Sequence, residues 1–331
     1  MKYLYLILGI ISFVVTLYLT PWAIRYMKRI GVVVKDQNKK KQPLIPISGG
    51  LAVFAGMFIS IMFITFVKTF VYNSTAEIIL LLAATIAIMF ITIVGFIDDL
   101  LIKRNKESSV GLRQWQKPLL TLSAAIPLMV VNAGTRIVNL PFLGRADIGL
   151  LYPLLLVPLG VVIAANMVNM LAGFNGMESG MGIIYTLSLG LYSLFYGTQV
   201  AAIIAFAALG SLVAFHLYNK FPAKILPGDS LTYLLGGVIA TIGILGNIER
   251  AGIIISIPFA AEFFLKARSR FKAQSYGYEK NGRIQSRYKK IYSIPHLFTR
   301  TGKFTEKQIT FFMILIELFF CILIWFLPIS Q

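Results

Sequence analysis

Long apolar runs dominate this sequence and limit the folds that it can adopt. A helix of roughly 20 apolar residues crosses the 30 Å core of a bilayer, and the chain contains about ten runs of that kind. Hydrophobic residues make up 57% of the chain and charged residues 13%, with a mean hydropathy of +0.79. This composition excludes a soluble globular domain. The sequence therefore predicts an all-α integral membrane protein.

We expect about ten transmembrane helices within a single polytopic domain of residues 1–331. The narrow seam between the sixth and seventh runs, at Tyr196-Gly197-Thr198, leaves nine or eleven spans as alternatives. The first run is too long for a signal peptide and lacks a small-x-small cleavage site, so we expect it to be retained. The ten runs lie near residues 3–22, 50–71, 78–98, 118–133, 150–170, 179–197, 199–218, 230–247, 251–267 and 308–328.

Lysine and arginine residues are distributed unevenly between the connections of these runs. Of 31 such residues, 26 lie within residues 25–48, 103–117, 219–229 and 266–307, and the other five lie at the N-terminus or in the alternate connections. Because positively charged loops stay in the cytoplasm, we expect both termini outside and the basic loops inside, including the long loop 268–306. The net charge of +18 then reflects membrane orientation and does not indicate a nucleic-acid partner.

Two adjacent carboxylates, Asp98 and Asp99, end the third run in the stretch VGFIDDLL. In the predicted orientation they lie at the cytoplasmic C-terminus of a helix, where the helix dipole disfavours negative charge, so a cation is expected beside them. Either Lys103 or Arg104 neutralises an ordinary interfacial pair, or the pair belongs to a functional site. Neighbouring residues on a helix point about 100° apart, so the two aspartates are not expected to be equivalent.

Further polar side chains lie at the same predicted membrane edge. Asn166 and Asn169 share one face of the fifth helix, and Asn175 follows in a glycine-bracketed turn within NMVNMLAGFNGMESG. Asp229 begins the eighth helix in PGDSLTYLLGG. Each has an ordinary structural interpretation, since asparagines end helices and form turns, and an aspartate at a helix start is first of all an N-cap.

Basic segments lie on the same side. KDQNKKKQPLIPISGG ends at Gly50, where the backbone can approach a phosphate closely. Lys117 stands at the start of the fourth helix, and SIPHLFTRTGK contains His296 and Arg300. Solvated positive loops, and a lysine that reaches the membrane interface, explain these residues without a ligand. His216 lies within an apolar run and is expected to be structural.

Groups from five separate loops thus share one side of the predicted bundle, which argues for one site. Carboxylate and amide oxygens are ligands that Mg²⁺ prefers, usually few in number and completed by water and substrate phosphates. Lys and Arg bind multiply charged anions. The single cysteine, Cys321, permits neither an intramolecular disulfide nor a cysteine-based metal site. The pattern predicts metal-dependent phosphate transfer at the cytoplasmic surface.

These motifs, together with GFIDDLL, resemble those of the polyprenyl-phosphate N-acetylhexosamine-1-phosphate transferase family, in order and at similar spacing, from about residue 20 to the C-terminus. LAGFNGMESG is closer to the dolichyl-phosphate N-acetylglucosamine-1-phosphotransferase branch than to the bacterial phospho-N-acetylmuramoyl-pentapeptide translocases. The compact loop between the last two helices favours an archaeal member of that branch.

The resemblance implies ten helices, a groove for a lipid substrate and cytoplasmic catalysis with Mg²⁺, or with Mn²⁺ in its place. It implies that Asp229 and Asn169 bind the metal, that Asp98 and Asp99 form the acidic pair and that Lys117 binds phosphate. The residues assigned to nucleotide binding are Gly173, Asn175, Asn166, Gly50 and Arg300.

The expected reaction transfers a sugar 1-phosphate, GlcNAc 1-phosphate first of all, from a UDP-sugar to a polyprenyl or dolichyl phosphate and releases UMP. The acceptor phosphate has a second pKa of about 6, so it is mostly dianionic at neutral pH, which favours direct attack over an aspartyl-phosphate intermediate. His296 is a further catalytic candidate, in a motif, YSIPH, that departs from both branches. The family resemblance implies inhibition by tunicamycin. Membrane lipids surround the protein, and a homodimer is one option for its oligomeric state.

Three alternatives stay open at this point. A muramoyl-pentapeptide nucleotide is the nearest rival donor, although a single His296 stands where that branch has consecutive histidines. A transporter would place polar groups near the bilayer midplane, often in two related halves, whereas here only Glu262 and Glu317 lie well inside predicted spans, as functional groups or interhelical partners. A structural scaffold leaves the clustered acids unexplained.

Overall fold

The chain forms a mostly helical integral membrane protein, as predicted. A computed structural model describes residues 2–73, 75, 77–104, 111–135, 137–140 and 144–326. Within these residues, six helices are long and apolar enough to cross a membrane. They are Tyr3–Arg29, Gly50–Phe70, Ile78–Ile102, Tyr152–Met170, Gln199–Asn219 and Gly228–Gly246.

Each of the ten apolar runs is largely helical. The helices are α1 (Lys2–Arg29), α2 (Gly50–Phe70), α3 (Ile78–Arg104), α4 (Gln116–Leu122), α5 (Ile126–Val130), α6 (Val157–Met170), α7 (Met177–Tyr196), α8 (Gln199–Asn219), α9 (Gly228–Gly246), α10 (Glu249–Ile255), α11 (Ile257–Ala267), α12 (His296–Thr299) and α13 (Glu306–Leu323). A π-helical segment, Tyr152–Leu156, runs directly into α6 and completes the span Tyr152–Met170.

Two of the predicted spans are broken rather than continuous. A 3₁₀ segment, Ser123–Ala125, joins α4 to α5, where Pro127 lies in the first turn. Ser256 separates α10 from α11, which has Pro258 in its first turn. Proline lacks the N–H of a helical residue and its ring clashes with the preceding turn, which explains both breaks. Each resulting piece is too short to cross a bilayer alone.

Helix α9 lies at the centre of the bundle. Its apolar stretch is 89% buried, whereas that of α1 is 28% buried. It packs against α2, α3, α6 and α8. Small residues permit this close packing, since a Cβ added to Gly236 would lie 2.4 Å from the Ala164 carbonyl oxygen of α6. The helix that carries Asp229 is thus the most enclosed of the six.

Three short antiparallel ribbons accompany the helices. Asn281 and Gly282 have φ values of 53° and 75° at the tip of the third ribbon, as in a type I′ hairpin. Strands of three or four residues are too short for alternating hydrophobicity to reveal. The pairs are β1 (Val33–Lys35) with β2 (Leu44–Pro46), β3 (Ile137–Leu140) with β4 (Gly144–Asp147), and β5 (Tyr278–Lys280) with β6 (Arg283–Gln285).

Four connections, three of which carry Lys or Arg, meet at one end of the bundle, which we call the basic end: residues 30–49, 171–176, 220–227 and 268–305. Asn38 donates from Nδ2 to the Gly173 carbonyl at 2.6 Å, and its Oδ1 accepts from the Gly277 amide at 3.0 Å. These bonds join the first, second and fourth of the connections. Lys and Arg occur in the first, third and fourth of these connections but not in residues 171–176, so charge predicted the position of only three of the four.

The long basic loop is anchored by a buried glutamate of α11. Glu262 accepts hydrogen bonds from Ser275 Oγ at 3.2 Å and from the Ile294 amide at 2.8 Å, and it lies 3.7 Å from Lys266 Nζ. Both bonded groups belong to residues 268–305, so Glu262 is a structural partner of that loop. Glu317 in α13 is also buried and accepts from Cys321 Sγ at 3.9 Å.

Candidate active site

Lys117 connects two carboxylates that lie far apart in the sequence. Its Nζ is 2.5 Å from Asp98 Oδ2 and 3.2 Å from Asp229 Oδ2. Asp98 lies in the last turns of α3, whereas Lys117 and Asp229 lie in the first turns of α4 and α9. Asp98 is fully buried, but the side chains of Lys117 and Asp229 are 24% and 23% exposed. A ligand can therefore reach the cluster from the side of Lys117 and Asp229.

The charges of this cluster hold Lys117 in its cationic form. Its Nζ lies within ion-pair distance of the carboxylates of both Asp98 and Asp229, which stabilise the charged form of the amine. Lys117 is therefore an ammonium at neutral pH.

Asn169 completes the cluster from the last turn of α6. Its Nδ2 donates to Asp229 Oδ2 at 3.3 Å, and its Oδ1 accepts from Thr232 Oγ1 at 2.7 Å. Asn166, one turn earlier, donates instead to Thr121 Oγ1 at 3.1 Å and so links α6 to α4. The structure thus brings Asn169 to Asp229 and places Asn166 at a neighbouring helix contact.

Asp99 makes quite different contacts from Asp98. Its Oδ1 accepts from the Asp229 amide at 2.7 Å, and its Oδ2 accepts from the Ser230 amide at 3.2 Å and from Ser48 Oγ at 2.8 Å. Asp99 is fully buried. The two aspartates are therefore not equivalent, since Asp98 contacts Lys117 and Asp99 binds the start of α9.

This arrangement corrects the N-cap interpretation of Asp229. Helix α9 begins at Gly228, Pro227 occupies the N-cap position, and neither caps with a side chain. The carboxylate that accepts from the first-turn amides is Asp99, on another helix. The side chain of Asp229 is thus free of the capping role. The side chains of Lys103 and Arg104, the alternative partners of the acidic pair, lie outside the described residues.

Asn175 and Gly173 belong to a network that joins the loops of the basic end. Asn175 donates from Nδ2 to Asp36 Oδ2 at 3.1 Å, and its Oδ1 accepts from the Ala223 amide at 3.1 Å. Its backbone amide donates to Glu306 Oε1 at 2.9 Å. Gly173 has a φ of 130°, which favours glycine, and its carbonyl accepts from the loop of residues 30–49. Both hold the loops together in this structure.

The other predicted residues make the contacts described here away from the Lys117 cluster. A Cβ on Gly50 would lie 2.3 Å from the Ser230 backbone carbon. The backbone that approaches this glycine closely is therefore that of α9, where we had expected a phosphate. His296 is buried; its Nδ1 accepts from the Tyr292 amide at 3.2 Å and its Nε2 donates to the Gln274 carbonyl at 2.9 Å. Arg300 is exposed and lines a separate surface cavity of about 340 Å³.

The environment of His296 favours its neutral form. Burial lowers the pKa of its imidazole below the ordinary value, and the positive charges of Lys266 and Arg300 lower it further, against the bond to the Gln274 carbonyl. A neutral imidazole has one donor and one acceptor nitrogen, which matches its two bonds. His296 thus holds the long loop in shape.

Two residues at the site carried no signal that the sequence analysis used. Ser48 bonds to Asp99, and Thr232 orients the amide of Asn169. Thr232 follows Asp229 by three positions, so helical spacing alone places both on one face of α9 and supplied a usable clue. Ser48 preceded two glycines in a loop, and nothing in that pattern pointed to Asp99.

The donor set suits a cation with few protein ligands. Among the described residues, no three His, Cys, Asp or Glu side chains come together where they could hold a metal ion. The oxygens nearest Lys117 are those of Asp229 and Asp98, and Asn169 lies beside Asp229 with its own Oδ1 bonded to Thr232 Oγ1. Mg²⁺ is commonly bound by one or two carboxylates together with waters and substrate phosphates. The small set of oxygens at this site fits that preference.

Comparison with known families identifies the family to which this chain belongs. The family described as glycosyl transferase family 4 matches residues 80–247, about half of the chain. The chain belongs to glycosyl transferase family 4. The matched range of this family 4 protein contains Asp98, Lys117, Asn169 and Asp229. Membership agrees with the resemblance seen in the motifs and makes the protein an enzyme of the polyprenyl-phosphate sugar-1-phosphate transferase family.

Two archaeal relatives match this family 4 protein over nearly its whole length. One from Saccharolobus solfataricus, named provisionally as a UDP-N-acetylglucosamine–dolichyl-phosphate N-acetylglucosaminephosphotransferase, is 34% identical over 95% of this chain and 94% of its own. One from Sulfolobus acidocaldarius, with the same provisional name, is 34% identical over 95% and 93%. A phospho-N-acetylmuramoyl-pentapeptide-transferase from Listeria monocytogenes is 29% identical over 76% and 78%.

Proposed function

We propose that the protein transfers GlcNAc 1-phosphate from UDP-GlcNAc to a polyprenyl or dolichyl phosphate and releases UMP. The observation that carries this proposal is the ammonium of Lys117 between Asp98 and Asp229, beside Asn169, at the basic end of an apolar bundle. Such a site suits a donor and an acceptor that both carry phosphate, one of them on a lipid. The names of the two archaeal relatives supply the sugar and the lipid.

Asp229 and Asn169 are the residues that would hold Mg²⁺, since their oxygens are hard ligands and Asp229 is partly exposed. Mn²⁺ accepts the same ligand types. When bound, the ion would neutralise charge on the phosphate oxygens. We assign no metal-binding role to Asp99, because it is fully buried and its two oxygens accept three hydrogen bonds, from Ser48 and from the first-turn amides of α9.

The chain's own groups position the reactants. An oxygen of the acceptor phosphate attacks the phosphorus that bears the sugar, the bond from that phosphorus to the bridging oxygen breaks, and UMP leaves with the electron pair. Lys117 donates hydrogen bonds to the phosphate oxygens, and buried Asp98 holds Lys117 in place. The acceptor is mostly dianionic at neutral pH, with a second pKa of about 6, so the attack needs no base from the protein.

The loops of the basic end then form the wall of the nucleotide site. We keep Gly173, Asn175 and Arg300 as candidates for contact with the nucleotide, because they lie on those loops. Gly50 and His296 support the fold around it through α9 and the long loop.

We further propose ten membrane crossings, with both termini outside and the basic end in the cytoplasm. The six long apolar helices support part of this count. The broken pairs α4–α5 and α10–α11, together with α7 and α13, would supply the other four. The uneven distribution of Lys and Arg supports this orientation.

A muramoyl-pentapeptide nucleotide is the second candidate donor. The similarity to the Listeria monocytogenes protein favours it, although that match covers 76% of this chain against 95% for the archaeal relatives. The polar cluster lies where helix ends meet loops rather than at mid-helix, which disfavours a transporter.

The experiment that tests the proposed function uses purified protein, UDP-GlcNAc, a polyprenyl phosphate and Mg²⁺, with release of UMP and formation of the lipid product as readouts. Lys117→Met should reduce turnover about a hundredfold or more, as expected when about 3 kcal/mol of phosphate stabilisation is lost. Lys68→Met is the matched control, because Lys68 pairs with Glu77 at 2.6 Å at the opposite end of the bundle. Absence of lipid product from the wild type, or equal activity of both variants, would refute the proposal.

A further inference from the structure

The first turn of α9 touches two other helices backbone to backbone. A Cβ on Gly50 of α2 would lie 2.3 Å from the Ser230 carbon, and one on Gly95 of α3 would lie 2.3 Å from the Asp229 carbonyl oxygen. No side chain fits at either contact without displacement. The turn that carries Asp229 is thus held at fixed distances from α2 and α3.

Hydrogen bonds to a carboxylate fix the N-terminal end of the same turn. Asp99 of α3 accepts from the amides of Asp229 and Ser230, and Ser48 Oγ donates to Asp99 at 2.8 Å. Both Ser48 and Asp99 are fully buried. The three hydrogen bonds use both carboxylate oxygens, so a ligand has no access to Asp99.

The backbone of Ser48 is strained in a way that supports this contact. Its φ of 73° lies in the left-handed region, which non-glycine residues rarely adopt. Such strain persists only where the surrounding structure fixes it, and it is common at functional sites. Here the strained residue places its hydroxyl on the carboxylate that caps α9. Gly228, with a φ of 69°, leaves room for Asp99, since a Cβ there would lie 2.4 Å from Asp99 Oδ2.

We propose that Ser48 and Asp99 are positioning residues that fix the direction of the Asp229 carboxylate for cation binding. This inference rests on the proposed function in one respect, namely that Asp229 binds the cation. Mg²⁺ demands near-ideal octahedral geometry, so a small tilt of the first turn of α9 misplaces its ligand. Asp229 also has to keep its distances to Asn169 and Lys117, which belong to two other helices.

The test measures cation binding directly, without substrates. Mn²⁺ is titrated into purified wild-type protein and the bound fraction is read by electron paramagnetic resonance. Ser48→Ala removes the hydroxyl and should weaken Mn²⁺ binding about tenfold. The matched control is Ser60→Ala, because Ser60 lies in α2, is equally buried and also donates at 2.8 Å, to the Leu8 carbonyl. It should leave Mn²⁺ affinity unchanged.

A second variant separates the hydroxyl from the backbone. Ser48→Gly also lacks the hydroxyl but accepts the left-handed conformation without strain, so it should unfold at a higher temperature than Ser48→Ala. We expect it to bind Mn²⁺ about tenfold more weakly, as Ser48→Ala does. In turnover assays both variants should need correspondingly more Mg²⁺ for half-maximal rate, with little change in the KM for UDP-GlcNAc.

The outcomes are distinguishable. Wild-type Mn²⁺ affinity in both Ser48 variants would overturn the proposal, as would failure of both to fold or absence of Mn²⁺ binding by the wild type. Wild-type protein that binds Mn²⁺ but forms no lipid product from UDP-GlcNAc would refute the proposed function alone. The positioning role would still be judged by the Mn²⁺ titrations.

Discussion

Replacing Asp229 by Asn isolates the charge that the proposed cation site requires. The amide keeps the size of the side chain and an oxygen that accepts from Asn169 Nδ2, now 3.3 Å away. It removes the negative charge 3.2 Å from Lys117 Nζ. Because Asp99 accepts from the first-turn amides of α9, capping does not depend on the exchanged group. Asp229→Asn should therefore fold normally.

The expected effects on stability and turnover differ in size. The direct attraction between Lys117 and Asp229 is about 5 kcal/mol at an effective dielectric constant of about 20. Most of this is offset by desolvation and by solvent screening, since both side chains are about a quarter exposed. Lys117 also keeps Asp98 at 2.5 Å, so the free energy of unfolding should fall by about 1 kcal/mol. Turnover should fall about a hundredfold or more, equivalent to roughly 2.7 kcal/mol of lost transition-state stabilisation.

The assay is turnover as a function of Mg²⁺ concentration for wild type and Asp229→Asn, with thermal unfolding measured on the same preparations. Glu77→Gln is the matched control, because it removes a carboxylate 2.6 Å from Lys68 at the opposite end of the bundle. That variant should retain wild-type turnover. Wild-type activity of Asp229→Asn at limiting Mg²⁺ would refute the assignment of Asp229 as a metal ligand.

Three further predictions concern topology, donor choice and pH. A cysteine at Lys40 should react only with cytoplasmic reagents and one at Arg145 only with external ones; labelling of both from one side would contradict ten crossings. UDP-GlcNAc should be used in preference to UDP-MurNAc-pentapeptide, with inhibition by tunicamycin, and exclusive use of the muramoyl donor would place the enzyme in the bacterial branch. Burial lowers the pKa of His296, so the unfolded chain takes up this proton at a higher pH than the folded chain, and stability should fall as the pH drops below about 6.5. In His296→Gln the unfolding temperature should fall less over the same pH range. A fall as large as that of the wild type would contradict this prediction.

The convergence of the polar motifs could be predicted because two simple rules predict a topology. Hydropathy places the helices, and charge places alternate loops on one side. Asp98, Lys117, Asn169 and Asp229 therefore fell at one predicted edge, and the structure brings these four into contact.

The contacts within that edge depend on tertiary packing, which local rules do not describe. Asp98 and Asp99 are adjacent, and the rotation of α3 against α4 and α9 decides which one meets Lys117. The N-cap rule assumes a cap from the same helix start, yet α9 receives its cap from a residue 130 positions earlier. The role of Ser48 could not be predicted for the same reason, because its partner Asp99 lies 51 positions later in the sequence and contacts it only in the folded chain.

The network around Asn175 has a consequence for the chemical ageing of the protein. Asn175 precedes Gly176, and asparagine followed by glycine is the pair most prone to deamidation, in which the next backbone nitrogen attacks the side-chain carbonyl. The bonds from Asn175 to Asp36 and Ala223 restrain that side chain while the loops stay assembled. Once the amide becomes a carboxylate, it faces Asp36 at about the distance of the lost hydrogen bond and repels it. We expect deamidation to be slow in intact protein and, after it occurs, to release the loops irreversibly, which peptide mass mapping of stored samples would reveal.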